Sequence, residues 1–302
     1  MYILIFLAAI YVGSIVFVRF RNKAGFDFKR QLSDFSTFMV PFNIPAYLFS
    51  KVPTSPIVST DHFPELSAIE DNWEVIRDEA LQLYEKGYID VNEEDLPGSS
   101  FYKNGRWTSF YLKIYGNKIP SAYQLAPKTM ALIEQVPSMR MALFACLNPG
   151  KKLNNHHDPF AFTLRYSMAL STPNKKACGL MVNGDHHPWQ DGKSILFDET
   201  YFHSDYNHAD TPRIILMTDI DRPLKSRLLQ KIYYCFGWGF NRLFSVDNLD
   251  SQYTGIGNKF GKYLNAYKLF LRRFKQWNHK LYTLAKLSVL ALVFYGLGVW
   301  LI

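Results

Sequence analysis

The sequence predicts a mainly β domain, built as a sandwich or barrel of which the jelly roll is one form, with flanking helices and an apolar helix at each end. Three observations support this. Short β-rich runs recur about every ten residues from residue 106 onward, a helical apolar pattern precedes them, and an apolar run lies at each terminus. Regularly spaced short strands between turn signals are typical of all-β sandwiches and barrels.

Six runs have the length and composition of strands. They are rich in β-branched and aromatic residues and end at Gly, Pro, Asn or Asp, which favour turns. In chain order they are "RWTSFYLKIYG", "MRMALFACLNPG", "FTLRYSMALSTP", "ACGLMVNGDH", "GKSILFDET" and "RIILMTDI".

Two helices are predicted before and among these strands. Residues 65–86 place apolar side chains near helical spacing, which indicates an amphipathic helix packed on a core. These are Leu66, Ile69, Trp73, Ile76, Ala80, Leu81 and Tyr84. A second helix is predicted over "APKTMALIEQV", where Pro127 suits a first turn.

The two chain ends resemble membrane anchors. Residues 2–18 form an uncharged apolar run of about the minimum spanning length, and the C-terminal apolar run reaches Ile302. Positive charges follow the first run and precede the second, which predicts both termini outside and residues 19–280 in the cytoplasm. The alternative is a buried core helix at each end.

The net charge of +8 indicates an acidic partner, and the apolar ends favour an anionic membrane over nucleic acid. Cys146, Cys178 and Cys235 have no disulfide or metal-ligand spacing. Residues 222–280 mix Lys and Arg with aromatic residues, which predicts a membrane-interface surface or a helical cap. The predicted divisions are an anchor at 1–20, a juxtamembrane linker at 21–64, a globular domain at 65–223, a basic aromatic membrane-interface segment at 224–280 and a second transmembrane helix at 281–302.

A candidate metal site lies in "NNHHDPFAFTLRY" at residues 154–166. On a strand or its end, His156 and Asp158 point to one side, and a third ligand is offered by His203 in a distant segment. Two histidines and a carboxylate are the ligands of non-haem Fe(II) oxygenases, and Arg213 would bind the distal carboxylate of a 2-oxoglutarate co-substrate. A zinc site and unrelated surface histidines remain open alternatives.

Several blocks resemble the aspartyl/asparaginyl β-hydroxylase family of Fe(II)/2-oxoglutarate-dependent dioxygenases. They are "IEDNWEVIRDEAL", "GRWTSFYLKIYG", "APKTMALIEQVP", "NPGKKLNNHHDPFAFTLRYSMAL" and "WQDGKSILFDETYFH", and they run in order from about residue 65 to 223. Within that family the chain is most similar to the bacterial membrane-bound lipid A hydroxylases. The resemblance implies a double-stranded β-helix, the cupin-like jelly roll, as the core.

The resemblance also implies roles for individual residues. His156 and His203 match the iron-binding histidines, and Arg213 matches the arginine that binds 2-oxoglutarate. A second arginine near the co-substrate and a tryptophan in the same pocket correspond to Arg165 and Trp107. Asp158 replaces a glycine of the animal peptide hydroxylases and would complete a facial triad.

Two further departures leave the 2-oxoglutarate contacts open. Ser167 stands where the animal enzymes have a histidine, and Ala145 replaces a contacting serine. Arg165 has alternative roles as a ligand for a phosphate or a substrate carboxyl. Arg213 could instead pair with Asp198 or Asp205, and Asp158 could be only a turn residue before Pro159.

The function implied is hydroxylation at the 2-position of a secondary acyl chain of lipid A, or of its Kdo-bearing precursor, using Fe(II), 2-oxoglutarate and O2. The expected location is the bacterial inner membrane, with the catalytic domain in the cytoplasm and no nucleic-acid partner. Two alternatives are a membrane-bound aspartyl/asparaginyl peptide hydroxylase and a non-catalytic membrane interaction protein.

Overall fold

Two antiparallel β-sheets form the centre of the computed structural model, which describes residues 2–23, 25–89, 108–115, 117–244, 248 and 261–300. The larger sheet has the strand order β2-β1-β3-β10-β5-β8 and the smaller sheet has the order β4-β9-β6-β7. The strands are β1 Thr108–Ile114, β2 Asn117–Lys118, β3 Met139–Leu147, β4 Lys151–His156, β5 Thr163–Ser171, β6 Cys178–Val182, β7 Asp185–Pro188, β8 Ser194–Phe197, β9 His203–Asn207 and β10 Arg213–Asp221.

The prediction of a mainly β, jelly-roll core is confirmed by these two sheets. The six predicted runs contain β1, β3, β5, β6, β8 and β10. The strands that were not predicted include β4, β7 and β9, whose sequences are KKLNNH, DHHP and HSDYN. These three belong to the smaller sheet and are largely polar, so they lack the apolar alternation by which strands are recognised.

The larger sheet is buried on both faces. In β10, eight consecutive residues from Arg213 to Ile220 are buried, and nearly all of β3 is buried too. One face lines an internal cavity with the smaller sheet, and the other packs on helices through a core that includes Ile76, Ile133 and Leu216. A strand buried on both faces reads as a continuous apolar run, which is why these strands were predictable.

Eleven helices surround the sheets in the described part of the chain. They are α1 Tyr2–Arg21, α2 Phe28–Gln31, α3 Phe35–Phe38, α4 Val40–Leu48, α5 Ser67–Glu70, α6 Trp73–Glu85, α7 Pro120–Leu125, α8 Pro127–Glu134, α9 Arg227–Phe244, α10 Gly261–Trp277 and α11 His279–Trp300. Two 3₁₀ turns, Thr60–His62 and Pro64–Leu66, precede α5.

The helix predicted over residues 65–86 is present in two parts, because the chain turns at Asp71 and Asn72 between α5 and α6. Its core-facing residues still include Ile76 and Ala80, both fully buried. The second predicted helix is α8, which begins at Pro127 as expected. All three cysteines are free, in agreement with their spacing.

The transmembrane helix predicted at each end is wrong. Within the residues that the structure describes, no helix is both long enough and apolar enough to cross a bilayer. Instead, α1 buries Ser14, Ile15 and Val18 against the rest of the chain, and Lys286 of α11 donates a 3.1 Å hydrogen bond to the carbonyl oxygen of Ser33. The apolar composition of α1 therefore serves partly to pack that helix on its own chain.

Residues 21–64, predicted as a juxtamembrane linker, hold three short helices that contact the β domain. Asn43 of α4 is only 2% exposed. Arg21, at the end of α1, forms an ion pair of 2.7 Å with Asp198. The predicted interface segment contains α9 and α10, with residues 245–247 and 249–260 outside the described part of the chain.

Candidate metal centre

Two histidines and an aspartate converge at the open end of the smaller sheet. His156 is the last residue of β4 and His203 the first of β9, and the strand register pairs them directly, with ring centroids 4.2 Å apart. Asp158 lies in the loop after β4, with Oδ1 3.9 Å from Nε2 of His156. One potential ligand atom from each of the three residues lies within 4.8 Å of the other two.

Hydrogen bonds to the backbone orient both imidazole rings. Nδ1 of His156 lies 2.8 Å from the carbonyl oxygen of Asn154, and Nδ1 of His203 lies 2.9 Å from that of Tyr201. A carbonyl oxygen can only accept, so each Nδ1 carries the proton and each Nε2 is the ligand atom. Metal-binding histidines are commonly fixed in this way.

The protonation states of the cluster also suit a metal ion. Burial, and next the neighbouring His156, lower the pKa of His203 to about 3, so this ring is neutral at physiological pH. Burial by itself would raise the pKa of Asp158, but Arg165 and the two histidines lower it below its usual range. A neutral imidazole and an ionised carboxylate are the forms that bind a divalent cation, and this donor set fits Fe(II).

Arg165 of β5 joins Asp158 to two further carboxylates. Its Nη2 donates to Oδ2 of Asp158 at 3.2 Å and forms an ion pair with Glu199, while its Nε donates to Oδ1 of Asp219 at 2.6 Å. Asp219 is directly opposite Arg165 in the register of β10 and β5. The guanidinium therefore spans the gap between the sheets and contacts the proposed ligand directly.

Three carboxylates around one guanidinium cannot all be ionised at low cost in a buried site. Burial, opposed in part by Arg165, raises the pKa of Glu199 well above its usual range and also raises that of Asp219. Burial disfavours the Arg165 cation, but Asp219, Glu199 and Asp158 outweigh it and raise the arginine pKa. Of the three carboxylates, Asp158 is therefore the one whose ionised form this cluster favours, whereas burial disfavours the ionised forms of Glu199 and Asp219.

The cluster opens into a cavity of about 210 Å³ between the two sheets. Its polar lining comes from His156, Asp158, His203, Arg165, Ser167 and Asp205, and the rest is mainly apolar. The apolar and aromatic side chains that line it are Tyr111, Met141, Leu143, Leu153, Leu180, Trp189, Phe197, Ile215 and Met217. The cavity thus combines one polar wall at the ligand cluster with apolar walls from both sheets.

Arg213 lies behind the cavity wall and is fully buried. Its Nη2 forms an ion pair with Oδ2 of Asp205, which lines the cavity, and Nε1 of Trp189 donates to Oδ1 of the same carboxylate at 3.1 Å. The guanidinium carbon is 5.5 Å from the centroid of the Trp189 ring. The Arg213 guanidinium therefore lies near this end of the cavity, and the Asp205 carboxylate lies between it and the cavity.

The structure brings together four predicted site residues at the cavity, namely His156, Asp158, His203 and Arg165. Arg213 does not line the cavity but lies behind Asp205, and its role in binding 2-oxoglutarate stays a prediction. Trp107 lies outside the described residues. The intervening His157 points away as expected, and its Nε2 is 2.8 Å from Oδ2 of Asp34.

Two carboxylates of the site were not predicted, Glu199 and Asp219. Asp205 was an expected alternative partner of Arg213, and the two residues do form an ion pair. Asp219 gave a usable signal, because an aspartate at an inward position of the apolar run "RIILMTDI" needs a buried partner. Glu199 stands in a polar segment, where single acidic residues are common and carry no such signal.

Comparisons with known proteins agree with the sequence blocks. The sequence profile described as Aspartyl/Asparaginyl beta-hydroxylase matches residues 70–223, about half of the chain. One curated relative, the ornithine lipid ester-linked acyl 2-hydroxylase of Rhizobium tropici, is 28% identical over 187 residues, covering 59% of this chain and 64% of the relative. The human aspartyl/asparaginyl beta-hydroxylase is also 28% identical, over 163 residues, covering 52% of this chain and 21% of that protein.

The chain thus spans less than two thirds of the length of these relatives. Among solved structures, a prolyl-4-hydroxylase from Pseudomonas putida aligns with a TM-score of 0.33 and 14% identity, covering 51% of this chain and 88% of that one. A Cupin_2 domain from Enterobacter cloacae aligns with a TM-score of 0.28 and 10% identity, covering 38% and 96%. The assignment of a jelly roll rests on the strand order described above.

Proposed function

Because the chain belongs to the aspartyl/asparaginyl β-hydroxylase family, we propose that it is an Fe(II)/2-oxoglutarate-dependent dioxygenase that hydroxylates a lipid acyl chain. The proposed substrate is lipid A or its Kdo-bearing precursor, and the proposed product is a 2-hydroxyacyl chain. Succinate and CO2 would be formed from 2-oxoglutarate, with O2 as the oxidant.

One observation carries this proposal: a cluster of two histidines and a carboxylate at the polar wall of an otherwise apolar cavity. His156, Asp158 and His203 would hold iron, and iron bound there would supply the O2-dependent oxidation of an unactivated C–H bond. Ligands confined to one side leave positions open for substrates, whereas a structural zinc site is closed by four protein ligands.

The residues around the cluster would position the reactants. Nδ1 of each histidine already donates to a backbone carbonyl oxygen, so both rings are oriented before the metal binds. Arg165 holds the orientation of Asp158 and adds positive charge to the wall where the anionic co-substrate would lie. Arg213, beside Asp205, would bind the distal carboxylate of 2-oxoglutarate.

An acyl chain suits the remaining walls of the cavity. Leu143, Leu153, Leu180, Ile215 and Met217 line it and offer no hydrogen bond to an amide or carboxyl side chain. A peptide asparagine or aspartate would leave its polar atoms unpaired against such a surface, which costs free energy. The name of the Rhizobium tropici relative, an acyl 2-hydroxylase of ornithine lipid, supports both the substrate class and the position of oxidation.

The proposed site of action is the cytoplasmic face of the bacterial inner membrane. On α9, Leu228, Ile232 and Trp238 are exposed, and Lys231 is exposed among them. On α10, Phe270 is exposed, and so are its neighbours Arg272, Arg273 and Lys275. Exposed apolar side chains beside basic ones are typical of helices that lie on an anionic lipid surface.

Mass spectrometry of lipids tests the proposal. Lipid A and ornithine lipids are extracted from cells of a host that lacks the activity, expressing either the wild-type chain, His156→Ala or His208→Ala. His208 is an exposed histidine in the loop after β9, so its substitution is a matched control. The expected result is one added oxygen on a lipid A acyl chain, located at the 2-position by fragmentation. It should be found for wild type and His208→Ala only.

Other outcomes redirect the proposal. One added oxygen on ornithine lipid alone would retain the acyl hydroxylase and replace the lipid. A third outcome would establish the peptide hydroxylase instead. In that case no lipid is oxidised, and the purified protein binds iron and consumes 2-oxoglutarate when aspartyl or asparaginyl peptides are added. An unchanged product in His156→Ala would show that this cluster is not the reactive site.

A further inference from the structure

The three proposed ligands lie on or directly beside two short loops that are joined to each other. The first follows β4 and includes His157 to Ala161 around Asp158, and the second precedes β9 and includes Asp198 to Phe202. The amide of Asp158 donates a 2.8 Å hydrogen bond to the carbonyl oxygen of Glu199, which connects the two loops beside the metal cluster.

Residues 21–23 and 25–43 contact both loops, and we name them the N-terminal clamp. This segment precedes the region matched by the family profile, which begins at residue 70. It includes the end of α1, the short helices α2 and α3, and the first turn of α4. Several of its polar side chains contact the loop backbone, on both sides of Asp158 and directly before His203.

The first loop is held on both sides of Asp158. Oγ of Ser36 donates to the carbonyl oxygen of His157 at 2.7 Å, on one side of the ligand. On the other side, Nδ2 of Asn43 donates to the carbonyl oxygen of Pro159 at 2.8 Å, and Oδ1 of Asn43 accepts from the amide of Ala161 at 2.9 Å. The Asn43 amide thereby substitutes for a backbone partner that this loop lacks.

The second loop is held directly before His203. Oδ1 of Asn22 accepts a 2.9 Å hydrogen bond from the amide of Phe202, whose carbonyl oxygen accepts from the amide of Asn183 at 2.7 Å. Arg21 donates to Oγ1 of Thr200 at 2.7 Å and lies 3.8 Å from the centroid of the Tyr201 ring. The position of His203 is therefore fixed from outside the sheet as well as by β9.

A small apolar cluster closes the interface between the clamp and the second loop. Phe26 packs on Phe202 edge to face, with ring centroids 4.6 Å apart, and both side chains are buried with Val18 and Val40. Together with the hydrogen bonds, this packing gives the two loops one arrangement. Without this packing, a bound metal would have to order the two loops. The conformational entropy lost on ordering would then weaken the affinity for the metal.

We propose that the N-terminal clamp is a positioning element of the metal centre, which holds both ligand loops at coordinating distance through Asn22 and Asn43. The inference rests on the proposed function only in taking His156, Asp158 and His203 as metal ligands. The metal affinity of this chain then depends on residues outside the region that the family profile matches.

The test compares Co(II) affinity among full-length variants, with Co(II) used as an oxygen-stable substitute for Fe(II). Asn22→Ala and Asn43→Ala each remove side-chain hydrogen bonds to a ligand loop. Gln31→Ala is the matched control, because Gln31 is a clamp amide only 1% exposed that donates to the carbonyl oxygen of Ile15, away from both loops. Titration followed by Co(II) absorption gives the Kd, and near-UV circular dichroism and thermal melts of the apo protein report folding.

The expected result is a Kd for Co(II) about tenfold or more weaker in Asn22→Ala and Asn43→Ala, the range for residues that support metal ligands, with Gln31→Ala within about twofold of wild type. Asn22→Ala removes one acceptor for the second loop and one donor to the carbonyl oxygen of Val18, both from a half-buried position, and it carries the test by itself should Asn43→Ala not fold. Wild-type affinity in both folded Asn variants, or an equal loss in Gln31→Ala, would overturn the inference. Absence of Co(II) and Fe(II) binding by the wild-type protein would instead contradict the proposed function.

Discussion

The backbone amide of Asp158 donates a 2.8 Å hydrogen bond to the carbonyl oxygen of Glu199, and the side chains of both residues contact Arg165. This pairing joins the loop that carries one proposed ligand to the loop that precedes another. The candidate metal centre therefore lies beside two loops that are joined by a backbone hydrogen bond and one shared cation.

Replacement of Asp158 distinguishes a metal ligand from a turn residue. For Asp158→Ala we expect the Kd for Co(II) to weaken by more than about 100-fold, because loss of a ligand exceeds the loss from a supporting residue. Titration of the purified apo protein measures this. Asp210→Ala, at an exposed aspartate after β9, is the control. Unchanged affinity in Asp158→Ala would leave two histidines as the protein ligands and restrict Asp158 to pairing with Arg165.

The two buried arginines are expected to affect different steps. Arg213→Lys retains the positive charge beside Asp205 but cannot pair bidentately with the distal carboxylate of 2-oxoglutarate. We therefore expect the KM for 2-oxoglutarate to rise about tenfold, with the affinity for Co(II) unchanged. Arg165→Lys withdraws a contact to Asp158 and should weaken Co(II) affinity as well. Steady-state kinetics and metal titration of the same preparations measure the two effects. Identical behaviour of the variants would contradict this division.

Asp198 should give the protein a stability that is lost in acid. Its Oδ2 accepts from Arg21 and from the fully buried Arg222, each at 2.7 Å. Burial raises the pKa of Asp198, but Arg222 and Arg21 outweigh burial and lower that pKa below its usual range. A lowered carboxyl pKa stabilises the fold at every pH above the unfolded value of about 3.9, and this contribution falls as pH drops through the folded value.

For Asp198→Asn we therefore expect a loss of about 3–5 kcal/mol in the free energy of unfolding at pH 7, because Arg222 stays buried without its anion. The difference from wild type should be constant from about pH 8 to 5 and should shrink below about pH 4. Urea unfolding at a series of pH values measures it. A difference that grows on acidification would show that the sign of the Asp198 shift is opposite.

Glu79 should stabilise the start of α8. From α6, its Oε1 accepts from the amide of Lys128 at 3.0 Å and its Oε2 from the amide of Thr129 at 2.8 Å, so it takes the place of an N-cap side chain. Glu79→Ala should cost about 0.5–2 kcal/mol of unfolding free energy. Glu74→Ala, at an exposed glutamate of the same helix, should stay within about 0.5 kcal/mol of wild type. Chemical denaturation compares the two variants.

Filling the cavity should block the substrate without removing the metal. Leu153 of β4 is half-buried and lines the cavity near His156, so Leu153→Trp can place a larger side chain there. We expect at least a tenfold loss of acyl hydroxylation with Co(II) affinity near that of wild type, and Leu153→Met should retain both. Lipid mass spectrometry and metal titration are the two measurements. Full activity in Leu153→Trp would mean that the acyl chain approaches the centre by another wall.

The accuracy of the sequence predictions followed burial. β3, β5 and β10 were recognised because strands buried on both faces read as apolar runs. β4 and β9 were missed although they carry His156 and His203, because strands that line a polar site lack apolar alternation. The apolar run of α1 was misread as a membrane span, since composition alone does not tell lipid contact from packing on the same chain.

The sequence by itself determined the core strands and α8 and indicated His156, Asp158, His203 and Arg165 as candidate site residues, because these depend on local pattern and on blocks shared with a family. Tertiary structure alone decided that β4 and β9 pair His156 with His203, that Asp219 lies opposite Arg165, and that Asp205 stands between Arg213 and the cavity. It also decided that Asn22 and Asn43 reach the ligand loops. The physical reason is that strand register and buried charge pairing join residues far apart in the chain, and neither leaves a periodic trace in sequence.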